Sequence, residues 1–341
     1  MKILKFAVAL SVIMAMSITT FGQDLESNLE SLAKDNAKGY VGPLVTSVGI
    51  GLNSGLYRTA KVHKILGFDI AINAAGIMIP AEGKTYDFAA TGLGSQSITL
   101  NSQSYSINLD EAFSQIEAPT IFGSSDGADV QPVVDNVAEQ VATASGLTAD
   151  QVKTQFDTEL TNFANSLNVI PPGFEQDYAF VPSAQASIGL PMRTEVTVRY
   201  LPAYTLNDDL GELSLFGIGG RISIDQFIPI PFFPIDIAAG LFYQDMELGP
   251  VSVNSSILHA EVGKTLPFIT VYGGVAYEMS NLSAEYTLEG TSNTIKLDVP
   301  GENQFRGTVG LRLKFLILTV NADYNIGTYN SVTAGVGLTF R

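Results

Sequence analysis

Histidine and cysteine, the residues with the widest chemistry, are nearly absent from this chain. It contains no cysteine, and His63 and His259 are its only histidines. Thiolate nucleophiles, disulfide bonds, thiolate zinc sites and histidine-rich metal sites are therefore excluded. We expect neither a metal nor any other cofactor.

A serine–histidine pair would be the remaining route to nucleophilic catalysis. Ser255 and Ser256 lie close to His259 in the sequence, as a hydrolase with a serine nucleophile would need. Ser255 and His259, however, would lie roughly 13 Å apart along one predicted strand, which is too far for a hydrogen bond. We therefore predict no catalytic residue and no enzyme activity.

Charged side chains recur on one face of strands whose other face is apolar. In residues 305–315, Arg306 and Arg312 alternate with Phe305 and Val309, and the period of two places the charges on one face. The candidate lumen-lining residues are Arg199, Arg221, His259, Glu261, Glu278, Arg306, Arg312, Lys314 and Asp323. Either they pair across a water-filled interior, or they form a ring that selects solutes by charge and hydrogen bonding.

The second half of the chain predicts nine strands that could position these residues. Each is about ten residues long, the length that a tilted strand needs to cross hydrocarbon (~9–11 residues). Short turns alternate with longer polar connections, as in outer-membrane barrels. The longer connections are 202–212, 246–253 and 280–304.

A strand in lipid must have all its backbone groups paired, and only a closed sheet achieves this. The predicted fold class is therefore all-β, a closed antiparallel transmembrane β-barrel spanning residues 63–341. Three further strands before the helical segment described next would make twelve strands. A hairpin within residues 40–62 would make fourteen.

Residues 126–173 have the period of helices instead. Val133, Val137 and Val141 form one apolar stripe, and a second stripe follows Gly146. The spacing of Thr148 and Gln151 predicts a capping box at the start of the second helix. We expect a helical insertion in an extracellular loop, with the two stripes packed against each other.

The N-terminus has the composition of an export signal. Lys2 and Lys5 precede an apolar stretch of about 11 residues, too short to span a bilayer, which predicts a signal peptide at 1–22. Residues 23–62 are expected to form an amphipathic helix, ended by Gly39, and a plug-like segment. The exported chain is expected in the outer membrane, with membrane lipid as a partner.

The charge balance bears on other partners. Thirty-four acidic residues against 18 basic ones give a net charge of −16. Nucleic-acid binding needs a basic surface that neutralises phosphates. We therefore expect no nucleic-acid partner.

Two segments carry a resemblance to a known family. Residues 49–70 (GIGLNSGLYRTAKVHKILGFDI) and 329–341 (YNSVTAGVGLTFR) resemble an uncharacterised family of exported Bacteroidota proteins, classed as a domain of unknown function. The layout, an N-terminal segment before a barrel, is more remotely similar to the FadL-type transporters of hydrophobic compounds, although this chain lacks their Asn-Pro-Ala motif. That second resemblance implies a segment that plugs the lumen.

Two functions remain open at this point. The first is passive transport of small hydrophobic molecules across the outer membrane, with such a molecule as ligand. The second is a barrel that transports nothing and presents its helical insertion to a partner.

Overall fold

The computed structural model describes residues 34–167, 169–207, 211–230, 234–248, 251–287 and 294–340. The predicted signal peptide and residues 23–33 of the predicted N-terminal helix lie outside these ranges. The described chain divides into two compact units. One contains residues 44–80 and the chain from 177 onward, and the other contains 34–43 and 81–176.

The helices and strands are labelled in chain order. The helices are α1 (Lys34–Asn53), α2 (Leu109–Ala112), α3 (Gln131–Ser145) and α4 (Ala149–Ser166). The strands are β1 (Phe68–Met78), β2 (Thr85–Asp87), β3 (Ser95–Leu100), β4 (Gln103–Asn108), β5 (Glu117–Pro119), β6 (Tyr178–Leu190), β7 (Thr194–Asn207), β8 (Gly211–Ser223), β9 (Asp236–Leu248), β10 (Val251–Thr265), β11 (Ile269–Thr287), β12 (Thr294–Pro300), β13 (Phe305–Phe315), β14 (Leu318–Ile326) and β15 (Ser331–Phe340). Within the described ranges, every helix is too short or too polar to cross a bilayer.

Ten strands close into an antiparallel barrel, which confirms the predicted fold class. β1 pairs with β6 on one side and with β15 on the other, and this closes the ring. β6 to β11 follow one another around the wall, and β13 to β15 complete it. Among the described strands, β12 pairs with the far end of β11 alone, and it extends the wall beyond β13.

The expected count of twelve or fourteen strands is wrong because only one of the described strands that precede the helical segment, β1, belongs to the barrel wall, instead of three. Residues 85–119 form the short pairs β2–β5 and β3–β4 in the second unit. These strands are three or six residues long, too short to cross hydrocarbon. Residues 40–62 contribute no hairpin, because they contain most of α1.

The two faces of the wall differ as the alternation predicts. Phe305 and Val309 of β13 are 70% and 61% exposed, whereas Arg306 and Arg312 between and beyond them are 5% and 7% exposed. Aromatic pairs lie near both ends of the outer face, with Phe68 stacked on Phe340 and a second pair in β11 and β13. An apolar outer band with aromatic ends is the surface that lipid requires.

The barrel has two ends, named here by their residues. At the C-terminal rim β1 begins at Phe68 and β15 ends at Phe340. At the insertion rim β1 ends at Met78 and β6 begins at Tyr178. The predicted long connections, which all lie at the insertion rim, are largely strand, because β7 to β12 continue through most of 202–212, 246–253 and 280–304.

The plug, residues 44–67, occupies the interior of this barrel. It begins with the second half of α1, which runs on past Gly39, where the sequence predicted a stop. Gly49 and Gly51 lie against the wall, where a Cβ would overlap the side chains of Ser280 and Val181. The glycines that weaken the helix thus let it fit inside a narrow ring, and residues 54–67 lead from it to the C-terminal rim.

The second unit contains the predicted helical pair. α3 and α4 bury their apolar stripes, including Val137, Val141 and Leu160. Thr148 accepts from the N–H of Gln151, whose side chain accepts from the N–H of Thr148, so the predicted capping box is confirmed. The unit comprises residues 34–43 and 81–176, so it also contains the short strands β2 to β5.

Candidate functional site

The interior of the barrel contains a balanced set of buried charges. Five arginines and five carboxylates are involved, so their formal charges cancel although the chain as a whole is strongly acidic. They are Arg58, Arg199, Arg221, Arg306, Arg312, Asp69, Glu195, Glu261, Glu278 and Asp323. Buried charges at membrane depth are costly unless they are paired or hydrogen-bonded, so their partners decide what the interior can do.

Both histidines of the chain lie in one hydrogen-bonded network. His63 of the plug contacts Glu195 through Nδ1 at 2.6 Å, and Glu195 pairs with Arg221 at 2.9 Å. Arg221 also pairs with Glu261 at 3.0 Å, and Glu261 contacts His259 Nδ1 at 2.6 Å. Arg221 donates further to the carbonyl of Thr59 in the plug. The network therefore joins three strands of the wall to the plug.

Asp69, at the start of β1, serves two arginines at once. Its Oδ1 pairs with Arg58 of the plug, and its Oδ2 accepts from Arg312 of β13 at 2.7 Å. The side chains of Arg58, Asp69 and Arg312 are 4%, 2% and 8% exposed. One carboxylate thus holds the plug to two parts of the wall in a place that water hardly reaches.

The C-terminal end of α1 is closed by arginines from the wall. Arg199 of β7 donates to the carbonyls of Leu52 and Ser54, the latter at 2.7 Å. Arg306 of β13 donates to Ile50 O at 2.7 Å and to Ser54 Oγ at 2.8 Å. The last carbonyls of a helix lack intrahelical donors and carry partial negative charge. The two arginines supply both the missing hydrogen-bond donors and a positive charge.

The remaining predicted residues also have defined partners. Glu278 pairs with Arg306 at 2.6 Å and accepts from Asn303. Asp323 accepts from the hydroxyl of Tyr272 at 3.0 Å and from Asn325. Lys314 differs from these, because it is half-buried at the C-terminal rim. The sequence interpretation left open whether the charges pair or form a selective ring, and most of them are engaged with the plug or with each other.

Three central residues are absent from the predicted lumen-lining set. Arg58 lies in an irregular segment with no period to assign it a face. Asp69 and Glu195 do lie in alternating strands, on the face shared by Asn73 and Arg199 respectively, so alternation could have included them.

The serine–histidine pair has other roles in the structure. Ser255 Oγ donates to the carbonyl of Met279, and His259 Nδ1 is bonded to Glu261. The His259 ring also stacks on Tyr57 of the plug, with centroids 5.0 Å apart. These contacts position His259 as part of the packing between plug and wall.

Little free space remains between plug and wall near Asp69. A pocket lined by Asp69, Glu195, Arg221 and neighbouring plug residues measures about 10 Å³, which is about the minimum that a single water needs. A much larger cleft of about 1130 Å³ opens at the C-terminal rim. It is lined by the last residues of the plug, including His63 and Lys64, and by turns of the wall.

Asp225, in the connection between β8 and β9, makes the stability of this rim depend on pH. Burial alone would raise the pKa of its carboxyl, but hydrogen bonds from Ser223, the N–H of Ile237 and Arg193 outweigh burial and lower the pKa. The carboxylate therefore stabilises the fold above the ordinary carboxyl pKa of about 3.9 and stops doing so as the pH falls through its lowered value.

We expect Asp225→Asn to be less stable than the wild type at pH 7 by about 0.2–1 kcal/mol, the range for an exposed pair. The difference should shrink as the pH falls below 4 and vanish once Asp225 is protonated. Urea unfolding of the detergent-solubilised protein at a series of pH values measures it. Asp87→Asn, which removes a charge from an exposed position, serves as the control. A difference that stays constant with pH would contradict the assignment.

A closed ten-stranded ring with an apolar exterior and a charged, filled interior defines this molecule as a transmembrane β-barrel. More particularly, the chain belongs to DUF6588, a family of unknown function, by a match that covers residues 1–340. No match was found among curated proteins.

Several solved outer-membrane barrels are similar at low identity. The N-terminal barrel domain of OprF from Pseudomonas aeruginosa is 14% identical over 43% of this chain and 96% of its own, with a TM-score of 0.24. OmpT of Vibrio cholerae is 10% identical over 80% and 98%, with a TM-score of 0.24. OmpF of Salmonella typhi, in complex with daunomycin, is 10% identical over 80% and 97%, with a TM-score of 0.22. The strand pairing, and not these low scores, establishes the fold.

Proposed function

We propose that this protein is a sealed outer-membrane barrel that holds its inserted unit, residues 81–176, at the membrane and presents it to a partner. The observation that supports this most is the filled interior. The plug contributes its carbonyls, Arg58 and His63 to buried contacts with charged side chains of the wall. A barrel closed in this way is suited to anchoring.

The composition of the inserted unit supports a surface role. Residues 81–176 contain thirteen Asp and Glu, two Lys and no Arg. Their net charge, 2 − 13 = −11, is most of the −16 of the whole chain. Such a surface favours a positively charged partner and repels acidic ones. The proposed function of the unit is therefore recognition of a cationic surface.

The test separates anchoring from transport in the intact protein. Reconstituted in planar bilayers and in liposomes, the full chain should give no ion conductance and no uptake of a labelled fatty acid above that of empty vesicles. Conductance or uptake by the wild type would overturn the proposal. A porin prepared in the same way serves as the positive control.

The inserted unit can be removed without opening the barrel. Ile79 N–H donates to the carbonyl of Asp177 at 2.8 Å, so a two-residue turn can replace 81–176. This variant should retain the folded barrel and its lack of conductance, and should lose binding to a polylysine-coated surface that the full chain shows. Equal binding by both would contradict the role of the unit.

Passive transport of small hydrophobic molecules is the second candidate. The cleft at the C-terminal rim favours it, because Ile65, Leu190, Met192 and Leu266 expose apolar surface there. Transport would require displacement of the plug, as the FadL-type layout suggests. Fatty-acid uptake in the liposome experiment is the outcome that supports this candidate.

A further inference from the structure

We infer that the cleft at the C-terminal rim is a binding site for an anionic amphiphile, that is, a molecule with a phosphate or carboxylate head and a hydrocarbon chain. This inference does not depend on whether the barrel conducts. It rests on the charges, the apolar surface and the size of the cleft.

The ionisable side chains described at the cleft are all basic. Lysine, arginine and histidine line it, and none of the described aspartates or glutamates does, in a chain with almost twice as many acids as bases. The basic residues are Lys61, His63, Lys64, Arg193, Arg312 and Lys314. A cavity of one charge sign concentrates ions of the other sign.

Some of these groups are already committed and others are not. Arg193 pairs with Asp225, and Arg312 pairs with Asp69. Lys61, Lys64 and Lys314 make no ion pair with any described residue. The Nε of Arg312, whose side chain is 8% exposed, has no hydrogen-bond partner within the described ranges. Buried donors are rarely left unpaired, so the guanidinium of Arg312, one of the residues that line the cleft, retains one unused donor.

Apolar side chains border the same basic groups. Ile65, Met192 and Leu266 line the cleft and are 56%, 77% and 47% exposed. Met192 and Arg193 follow each other in the left-handed region, with φ of 60° and 49°, where glycine or asparagine is normally preferred. A strained turn thus displays a methionine and an arginine side by side.

The size of the cleft fits a head group with part of its chain. Its volume of about 1130 Å³ exceeds the ~300–1,000 Å³ of most small-molecule sites. A lone phosphate would leave the apolar lining uncovered, and a neutral hydrocarbon would leave the ammonium groups unpaired. An amphiphile with one acidic head pairs with the ammonium groups through that head and covers the apolar lining with its chain.

The absence of tryptophan from the chain provides a direct assay. Leu266→Trp introduces a single indole at the cleft, and brominated dodecyl phosphate titrated into the full-length protein in maltoside detergent should quench its fluorescence. Lys64→Gln with Lys314→Gln, made in this background, should weaken binding about tenfold or more, as expected for two charge-assisted contacts. Lys38→Gln with Lys153→Gln removes the same charge from the other unit and should leave binding unchanged.

Three results would overturn the proposal. They are equal quenching by brominated dodecanol, equal loss of binding in both double variants, and displacement of the phosphate amphiphile by the same concentration of inorganic phosphate.

Nanodiscs distinguish the source of the ligand. Quenching by brominated phosphatidylglycerol that dodecyl phosphate cannot reverse identifies a bilayer lipid, whereas reversal identifies a free amphiphile, and both support the shared chemistry.

Discussion

Replacing Asp69 by Asn is expected to lower the free energy of unfolding by about 3–5 kcal/mol, the cost of breaking a buried ion pair by removing one partner. Asn keeps the shape of the side chain but leaves Arg58 and Arg312 without a carboxylate. Their own contacts with Asp69 show that both guanidinium groups lie in the same buried place. The effect should exceed that of other single carboxylates because two cations lose their counter-ion together.

Urea unfolding of the protein reconstituted in liposomes measures this loss. Asp245→Asn is the matched control, because Asp245 is half-buried, accepts from Ser252 and has no arginine partner among the described residues. Its change should stay below about 1 kcal/mol, as for an ordinary hydrogen bond. A loss of similar size in both variants would show that Asp69 matters only as a hydrogen-bond acceptor.

A second substitution separates charge from hydrogen bonding. Arg58→Met combined with Asp69→Asn removes one cation and the carboxylate together, so that Arg312 alone lacks a partner. The double variant should be more stable than Asp69→Asn alone, because residues in one network are not additive. If the stability losses of Arg58→Met alone and Asp69→Asn alone simply add in the double variant, the like charges of Arg58 and Arg312 do not explain the effect.

The wall of the barrel was largely predictable, because lipid outside and polar groups inside impose a period of two on every long strand. All nine strands expected in the second half are present. The first half was harder, because residues 85–119 have strand-like composition without strand length. Ile98 and Leu100 of β3 bury their side chains in the second unit, and nothing in a six-residue stretch distinguishes such a hairpin from a piece of wall.

The plug could be anticipated only in outline. Gly49 and Gly51 argue against a helix by propensity, and the helix forms because the narrow interior favours small side chains there. Alternation could indicate that Arg199 and Arg306 share the inner face. It could not show that their partners are carbonyls of α1. Those carbonyls lie 147 residues before Arg199 and 256 residues before Arg306 in the sequence.

Substitution of Arg199 by Leu is expected to destabilise the protein by about 2–4 kcal/mol. Arg199 is fully buried and has no carboxylate among its described partners, which are the carbonyls of Leu52 and Ser54 and the side chains of Gln185 and Gln244. Leucine would fill the volume but leave these acceptors without a charged donor, at about 1–3 kcal/mol for each group that stays unsatisfied.

The location of the damage distinguishes this explanation from a general packing defect. Hydrogen exchange in the full chain should rise at residues 50–54 and stay unchanged in α3 and α4. Arg199→Lys should recover only part of the protection, because one ammonium cannot reproduce the planar fork that reaches two carbonyls. Gln244 donates to Leu52 O at 2.8 Å as well, so some protection should persist in every variant. Unchanged exchange at 50–54 in Arg199→Leu would mean that the wall arginine does not hold the end of the helix, and the sealed interior would then need another explanation.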